Sequence, residues 1–264
     1  MAPGIPHFSR THASTRISLR WLPEAPFENT DTLVLTVGDW YVDLRVDKQS
    51  GHLDWAIAGQ CLLQDTNPRR IVFTHTIDSH NNFNVSDPCP FLALPNGDDL
   101  ETGTMARPDV PGTPMTPYEE VWRFLPVLGD SMESGSRVAW ILESEDVVEQ
   151  DDQVKTFLAH IGGRYLALQQ SQAYKKGPSS SDSLADQIWG GQVSARSEEW
   201  SGACWKVKYC LGQDGVHLPS ISKHIDLDHQ STWQVPGQKA TVKGRQYIIR
   251  ALEKSDPKGT WTKL

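Results

Sequence analysis

The feature that most constrains this chain is a succession of short β-strand signals without any long helical periodicity. The segment WYVDLRV (40–46) alternates apolar and polar side chains, as a half-buried antiparallel strand does. One face of this strand would carry Trp40, Val42, Leu44 and Val46, and the other would carry Tyr41, Asp43 and Arg45. Gly38 and Asp39, just before it, are typical of a two-residue hairpin turn. The sequence therefore predicts an all-β protein.

Two turn-rich segments interrupt the strand signals, at 109–117 and at 128–136. The second segment divides the chain into two parts of similar length, each with the size of an ordinary domain. This pattern predicts an N-terminal domain at 14–127 and a C-terminal domain at 136–264. The one helix that we expect is short, at 181–189, where Ser181 or Asp182 is the candidate cap.

The composition argues against several classes of partner. The chain has 25 Lys and Arg against 33 Asp and Glu, and its net charge of -8 opposes binding to nucleic acid or anionic lipid. No apolar run approaches the ~20 residues of a membrane-spanning helix, and the first residues lack the apolar core of a signal peptide. We therefore expect a soluble, cytoplasmic protein without membrane insertion. The four cysteines form no CxxC pair, which favours reduced thiols over a zinc or redox site.

Metal-ligand residue types cluster in RIVFTHTIDSHNN (70–82), where His75, Asp78 and His80 fall close together. In a continuous strand alternate side chains point to opposite faces, so His75 would face away from Asp78 and His80. A helix would also separate the two histidines, by about 140° around its axis. The sequence therefore predicts no metal site here. The segment KHIDLDH (223–229) is a candidate for adventitious metal binding at most.

The side chain of His75 has two interpretations. It is either a hydrogen-bonded core histidine or a polar group in the wall of a hollow barrel. In an apolar wall its charged form is disfavoured, which suits a neutral base near neutral pH. Asp78 could act with it or cap the turn that follows.

A second candidate lies in YEEVWRF (118–124), where Glu120 shares a strand face with Tyr118 and Trp122. A carboxyl group in aromatic surroundings can act as an acid near neutral pH. The alternative is a structural salt bridge to Arg20, Arg45 or Arg123. The segment LPNGDDLETG (94–103) predicts a hairpin turn that leads into a strand with Glu101.

Motifs for cofactor chemistry do not occur. There is neither a GxSxG nucleophile motif nor a glycine-rich phosphate loop. The sequence therefore predicts no serine nucleophile and no cofactor.

Several segments resemble a known family in both order and spacing. ISLRW, YVDLRV, LDWAIAG, FTHTIDS, LPNGDDLETG and YEEVWRFLPV resemble the first half of a fungal family of calycin-like proteins described as casein-kinase-interacting proteins. TFLAHIGGRYLALQQ, EEWSGACWKVKYC and GQKATVKGRQYIIRALE are similar to its second barrel, so the resemblance covers about 16–253. It implies two consecutive calycin-like or lipocalin-like antiparallel barrels or half-barrels with few short helices. It is compatible with a homodimer and implies no catalytic residues.

Barrels of this type enclose a cavity for one small apolar ligand. We therefore expect the N-terminal barrel to bind a small hydrophobic metabolite and to promote a cofactor-free cyclisation or isomerisation in fungal secondary metabolism. The candidate catalytic residues are His75, Glu120 and Asp78, and the candidate substrate-binding residues are Trp55, Phe73, Glu101, Tyr118, Trp122 and Arg123. The competing hypothesis is a non-catalytic adaptor that binds other proteins through strand edges and loops.

Overall fold

The computed structural model describes residues 11–64, 66, 70–83, 86–128, 137–145, 148–149, 152–175, 187–225, 233–256 and 260–263. Strands dominate this part of the chain. It contains one 3₁₀ turn, Gly215–His217, and one short helix, α1 (Ile221–His224). The all-β prediction is confirmed. No helix within the described ranges is long and apolar enough to cross a membrane.

The first half forms a closed antiparallel barrel. Its strands are β1 (Thr11–Trp21), β2 (Thr30–Val37), β3 (Trp40–Asp47), β4 (Leu53–Gln64), β5 (Arg70–Thr74), β6 (Ile77–Asp78), β7 (Ser86–Ala93), β8 (Asp99–Ala106) and β9 (Met115–Leu125). The pairing order is β3-β2-β1-β9-β8-β7-β5-β4, and β4 returns to pair with β3. Strand β6 attaches to β4. In this ring of eight strands, β4 lies across the barrel from β9.

The second half forms a ten-stranded sheet. Its strands are β10 (Arg137–Ser144), β11 (Val148–Glu149), β12 (Asp152–Ile161), β13 (Arg164–Lys175), β14 (Gln187–Gly190), β15 (Ser194–Trp200), β16 (Trp205–Leu211), β17 (Lys239–Val242), β18 (Arg245–Ser255) and β19 (Trp261–Lys263). The main path runs β16-β15-β13-β12-β10-β18-β17, with β11, β14 and β19 attached at its sides. In the described part of the chain β16 and β17 do not pair, so this sheet is open.

The helix predicted at 181–189 is wrong for the residues of this segment that the structure describes. Ile188 and Trp189 belong to β14, which pairs with β13. This long-range pairing prevails over a weak local helix signal. Residues 181–186 lie outside the described residues, and so does most of the predicted break at 128–136. The first sheet ends at Leu125 and the second begins at Arg137; the domain bounds 14–127 and 136–264 stay a prediction.

The two sheets pack together through the apolar face of β3. Val42, Leu44 and Val46 are almost fully buried and share one cluster with Phe157 and Ile161 of the second sheet. Each such side chain contributes roughly 1.5–3 kcal/mol on burial. The apolar face of β3 is therefore the outer face of the barrel, and the face with charged residues points inward.

The second sheet has a filled core of its own. Trp140 and Tyr247 pack there with Leu218 and with Ile221 of α1. The ring of His160 lies 5.4 Å from that of Trp140, and burial lowers the pKa of His160 to about 4. This histidine is therefore neutral near pH 7.

Candidate ligand-binding and acid–base site

The barrel interior contains a cavity of about 230 Å³. Side chains from β1, β2, β3, β4, β5, β7, β8 and β9 line it, because successive residues of a strand alternate between the interior and the exterior. The wall combines aromatic rings with ionisable groups. Its principal members are Tyr41, Asp43, Arg45, Trp55, Phe73, His75, Phe91, Asp99, Glu101, Tyr118, Glu120 and Trp122.

Most of the predicted site residues meet at this cavity. Those that line it are Trp55, Phe73, His75, Glu101, Tyr118, Glu120 and Trp122. Asp78 lies behind His75 and contacts it. Arg123 points away, because it follows Trp122 in the same strand, and its guanidinium pairs with Asp98 on the outer face at 2.8 Å. Arg123 therefore does not line this cavity, and its role in substrate binding stays a prediction.

The geometry of His75 corrects the sequence prediction. Its Nδ1 lies 2.6 Å from Oδ2 of Asp78 and 3.1 Å from the carbonyl oxygen of Asn82. The two side chains meet because strand β5 ends at Thr74 and β6 begins at Ile77, so the alternation is interrupted between them. Since Nδ1 faces two acceptors it carries the proton, and Nε2 is the basic nitrogen of the neutral ring.

Asp78 is held rigidly behind the histidine. It is fully buried, and its Oδ1 accepts hydrogen bonds from Nε1 of Trp55 at 3.1 Å and from the amide of His80 at 2.7 Å. The ring of His80 stacks on Trp55, and its Nε2 lies 2.9 Å from the carbonyl oxygen of Asp54. The His80 imidazole thus has partners other than His75 and Asp78, and only the His80 backbone amide contacts Asp78. Across the described residues no three metal-ligating side chains converge on one point.

Glu120 forms salt bridges inside the barrel. Its Oε1 lies 2.6 Å from Nη1 of Arg16 and 3.4 Å from Nη1 of Arg45. Of the arginines considered from the sequence, Arg45 is a partner, whereas Arg20 pairs with Glu119. Sequence reasoning missed Arg16, which reaches Glu120 from β1 across a register that contains a bulge. The alternation of apolar and polar residues along a strand does not show where such a bulge occurs.

Arg45 connects the charged and the aromatic parts of the wall. Its guanidinium donates to Oδ2 of Asp43 at 2.9 and 3.0 Å and lies 4.9 Å from the ring centroid of Trp55 and 5.5 Å from that of Trp122. Within the described residues, Oδ1 of Asp43 and Nε1 of Trp122 are buried without a hydrogen-bond partner. Buried polar atoms in native proteins are almost always paired. The cavity wall therefore has one acceptor, Oδ1 of Asp43, and one donor, Nε1 of Trp122, that no described protein group satisfies.

Glu101 is the carboxyl group with the perturbed acidity. Burial, followed by the charge of Glu120 directly opposite on β9, raises the pKa of Glu101 to about 7. Tyr118 donates a hydrogen bond to Glu101 at 2.7 Å, and burial also raises the pKa of Tyr118 well above its ordinary value. Gly103 leaves room for the Tyr118 ring, since a Cβ there would lie 2.7 Å from a ring carbon. The near-neutral acid is thus Glu101, whereas Glu120 is the salt-bridged carboxylate.

The second sheet holds the loop that carries the histidine. The Gln170 side chain accepts a hydrogen bond from the amide of Asp78 at 3.1 Å and donates one to its carbonyl oxygen at 2.9 Å. Gln172 donates to the carbonyl oxygen of Thr76 at 2.7 Å. Both glutamines come from β13, so residues of the open sheet position one wall of the barrel site.

The fold and the cavity together define an all-β protein in which a closed barrel with a polar and aromatic interior packs on a second, open sheet. The family described as Protein HRI1 matches residues 12–242, and the chain belongs to this family. The predicted resemblance is confirmed. A crystal structure of an uncharacterized protein, YLR301w from Saccharomyces cerevisiae, is similar with a TM-score of 0.62 and 13% identity, covering 91% of this chain and 98% of that one. It shows the same fold. No curated protein matches the chain.

Proposed function

We propose that the barrel binds one small, largely apolar molecule and promotes its isomerisation or cyclisation by proton transfer, without a cofactor. The observation that carries this proposal is the arrangement of acid and base. The His75–Asp78 pair belongs to the side of the ring formed by β4, β5 and β6, whereas Glu101 belongs to β8, two strands from β5 around the ring. A ligand in the cavity would therefore meet a base and an acid that come from different parts of the wall.

The two groups suit these roles for physical reasons. Asp78 fixes the tautomer of His75, which leaves Nε2 to accept a proton. A carboxyl group whose pKa is about 7, as in Glu101, donates a proton readily at neutral pH. Aromatic side chains of the wall, including Tyr41 and Phe73, would hold the apolar body in a reactive conformation.

A generic carbon acid tests the base without knowledge of the natural substrate. In nitrobenzisoxazole a base removes the ring C–H proton, the N–O bond breaks, and a coloured cyanonitrophenolate forms. We expect the protein to accelerate this reaction, and we expect His75→Ala to lower the rate about 10²-fold or more, as loss of a general base does. His52→Ala is the matched control, because His52 is exposed outside the cavity.

The rate of nitrobenzisoxazole conversion distinguishes the proposed enzyme from a non-catalytic adaptor. Equal rates for the wild type, His75→Ala and His52→Ala would contradict the proposed base. The second candidate function is the adaptor, which is supported by exposed apolar side chains such as Leu92 and Met115, 53% and 66% exposed, on strands of the barrel. If neither catalysis nor uptake of a small probe is found, the adaptor becomes the better account.

A further inference from the structure

The charge of the cavity wall is strongly one-sided. Five carboxyl groups line the cavity within the described residues, whereas Arg45 is the lone guanidinium among the lining side chains. The five are Asp39, Asp43, Asp99, Glu101 and Glu120. Arg45 already pairs with Asp43 and Glu120, and Glu120 also pairs with Arg16, which does not line the cavity. The wall therefore has a surplus of carboxyl groups over cations.

Two of these acids form no salt bridge with a described side chain. Glu101 and Asp99 lie two residues apart on the inner face of β8, and neither pairs with a Lys or Arg side chain that the structure describes. Glu101 sits directly opposite Glu120 in the β8–β9 ladder, an arrangement of like charges that destabilises a sheet. Burial, followed by the charge of the neighbouring Asp98, raises the pKa of Asp99 to about 6.

An independent observation points to a ligand in the same cavity, from β3 on the other side of the ring. Asp43 is 3% exposed, and although Arg45 binds its Oδ2, its Oδ1 has no hydrogen-bond partner. A buried acceptor without a partner destabilises the folded protein, and a donor from a ligand would remove this cost.

We propose that the ligand of this cavity is an organic cation, a small protonated amine with an apolar body. This inference rests on the proposed ligand-binding function and names the chemical class of the ligand. The ammonium group supplies the counter-charge for Asp99 and for the ionised form of Glu101, and a donor for Oδ1 of Asp43. Because the pKa of Glu101 is about 7, its ionised form coexists near neutral pH with the protonated form that acts as the acid. Its apolar body lies against the rings of Tyr41 and Phe73, which also favour a nearby cation. A carboxylate ligand would instead add a like charge to an acidic wall.

Three probes of the same shape test the ligand class by isothermal titration calorimetry on the full chain. They are phenylethylamine, phenylethanol and phenylpropanoate, which are cationic, neutral and anionic at pH 7.5. We expect the amine to bind at least tenfold more tightly than the other two. Glu101→Gln should weaken the binding of the amine about tenfold and leave the alcohol unchanged. Glu119→Gln, which alters the outward-facing carboxylate next to Glu120, is the matched control.

The pH dependence gives a second readout. The charged and titratable groups around Glu101 are Asp99 on its own strand, Glu120 and Tyr118 on β9, Cys89 on β7 and Arg45 on β3. An alkylammonium stays protonated below about pH 9, like a lysine side chain. The affinity for the amine should therefore rise from pH 6 to pH 8 as Glu101 ionises, with release of a fraction of a proton at pH 7, and the affinity for the alcohol should stay flat.

Each outcome decides one point. If the alcohol or the carboxylate binds as tightly as the amine, the organic-cation inference is overturned and the ligand cavity stands. If none of the three binds, the ligand cavity is overturned as well. If phenylethylamine binds the wild type and Glu101→Gln with equal affinity, the placement of the ammonium at Glu101 is wrong. Far-UV circular dichroism of each variant establishes that it is folded.

Discussion

At the scale of single residues, the barrel interior separates two neighbouring glutamates into different roles. Glu120 lies between two arginines and is a structural carboxylate. Glu101 has a tyrosine hydroxyl in place of a cation and titrates near neutral pH. The difference arises because Arg16 and Arg45 both reach the strand that carries Glu120. The same amino acid type thus forms salt bridges with two arginines at one position and has a raised pKa at the other.

The raised pKa of Glu101 makes a prediction about stability. Its ordinary pKa of 4.5 rises to about 7 on folding, so the folded state binds more protons between these values. The contribution of Glu101 to stability is therefore greatest below pH 4.5 and is lost as the pH rises to 7. We expect Glu101→Gln to match the wild type near pH 4.5 and to be more stable by on the order of 1–3 kcal/mol at pH 8.

Urea unfolding of both proteins between pH 4.5 and pH 8 measures this difference. Glu119→Gln serves as the control, because Glu119 is part-exposed and pairs with Arg20 on the outer face. A constant difference between Glu101→Gln and the wild type across this range would show that Glu101 does not titrate there.

At the scale of elements, strand alternation predicted the local faces well. It placed Glu120 with Tyr118 and Trp122, and all three line the cavity. It failed at the His75–Asp78 pair, because β5 ends before the two residues are reached and β6 begins only at Ile77. It also could not predict the contact of Arg16 with Glu120, because that contact depends on a bulge in the pairing of β1 with β9. Alternation also cannot tell which face of a strand becomes the barrel interior. For β3 that choice is made by the second sheet, which covers the apolar face.

The outer face of β3 provides the second prediction. Leu44 is 2% exposed and belongs to the cluster shared by the two sheets. We expect Leu44→Ala to lower the free energy of unfolding by about 2–5 kcal/mol, because it leaves a cavity between the sheets. Leu92→Ala removes the same atoms from a side chain that is 53% exposed and should change stability by less than about 0.5 kcal/mol. Similar losses in the two variants, measured by urea unfolding, would contradict this assignment of faces.

At the scale of the whole molecule, the open sheet acts as a support for the barrel site. Its filled core fixes β13, and the glutamines of β13 hold the backbone around Asp78. Both sheets therefore contribute to the site: the barrel provides the wall, and the second sheet holds the loop that carries His75 and Asp78. This dependence rests on pairs about ninety positions apart in sequence, so local patterns could not predict it.

Gln170 provides the third prediction. Gln170→Ala leaves the amide and carbonyl groups of Asp78 without their partner, which costs about 1–3 kcal/mol for each unpaired buried group. We expect faster hydrogen exchange at residues 77–80 and slower nitrobenzisoxazole turnover. Gln170→Glu keeps the acceptor but loses the donor, so it should have an intermediate effect. Gln169→Ala is the control, because the Gln169 side chain bonds Thr156 instead. Exchange at 77–80 that is unchanged in Gln170→Ala would contradict the supporting role.

The central claim is that the barrel interior binds a small molecule in the cavity that Trp55 and Trp122 help to line. The most direct test is the indole region of a ¹H–¹⁵N correlation spectrum recorded with increasing phenylethylamine. The account predicts that the indole N–H signals of Trp55 and Trp122 shift with saturation, whereas those of Trp140 and Trp233, packed in the core of the second sheet, stay in place. Unchanged signals of Trp55 and Trp122, or shifts confined to the exposed Trp189, would contradict it.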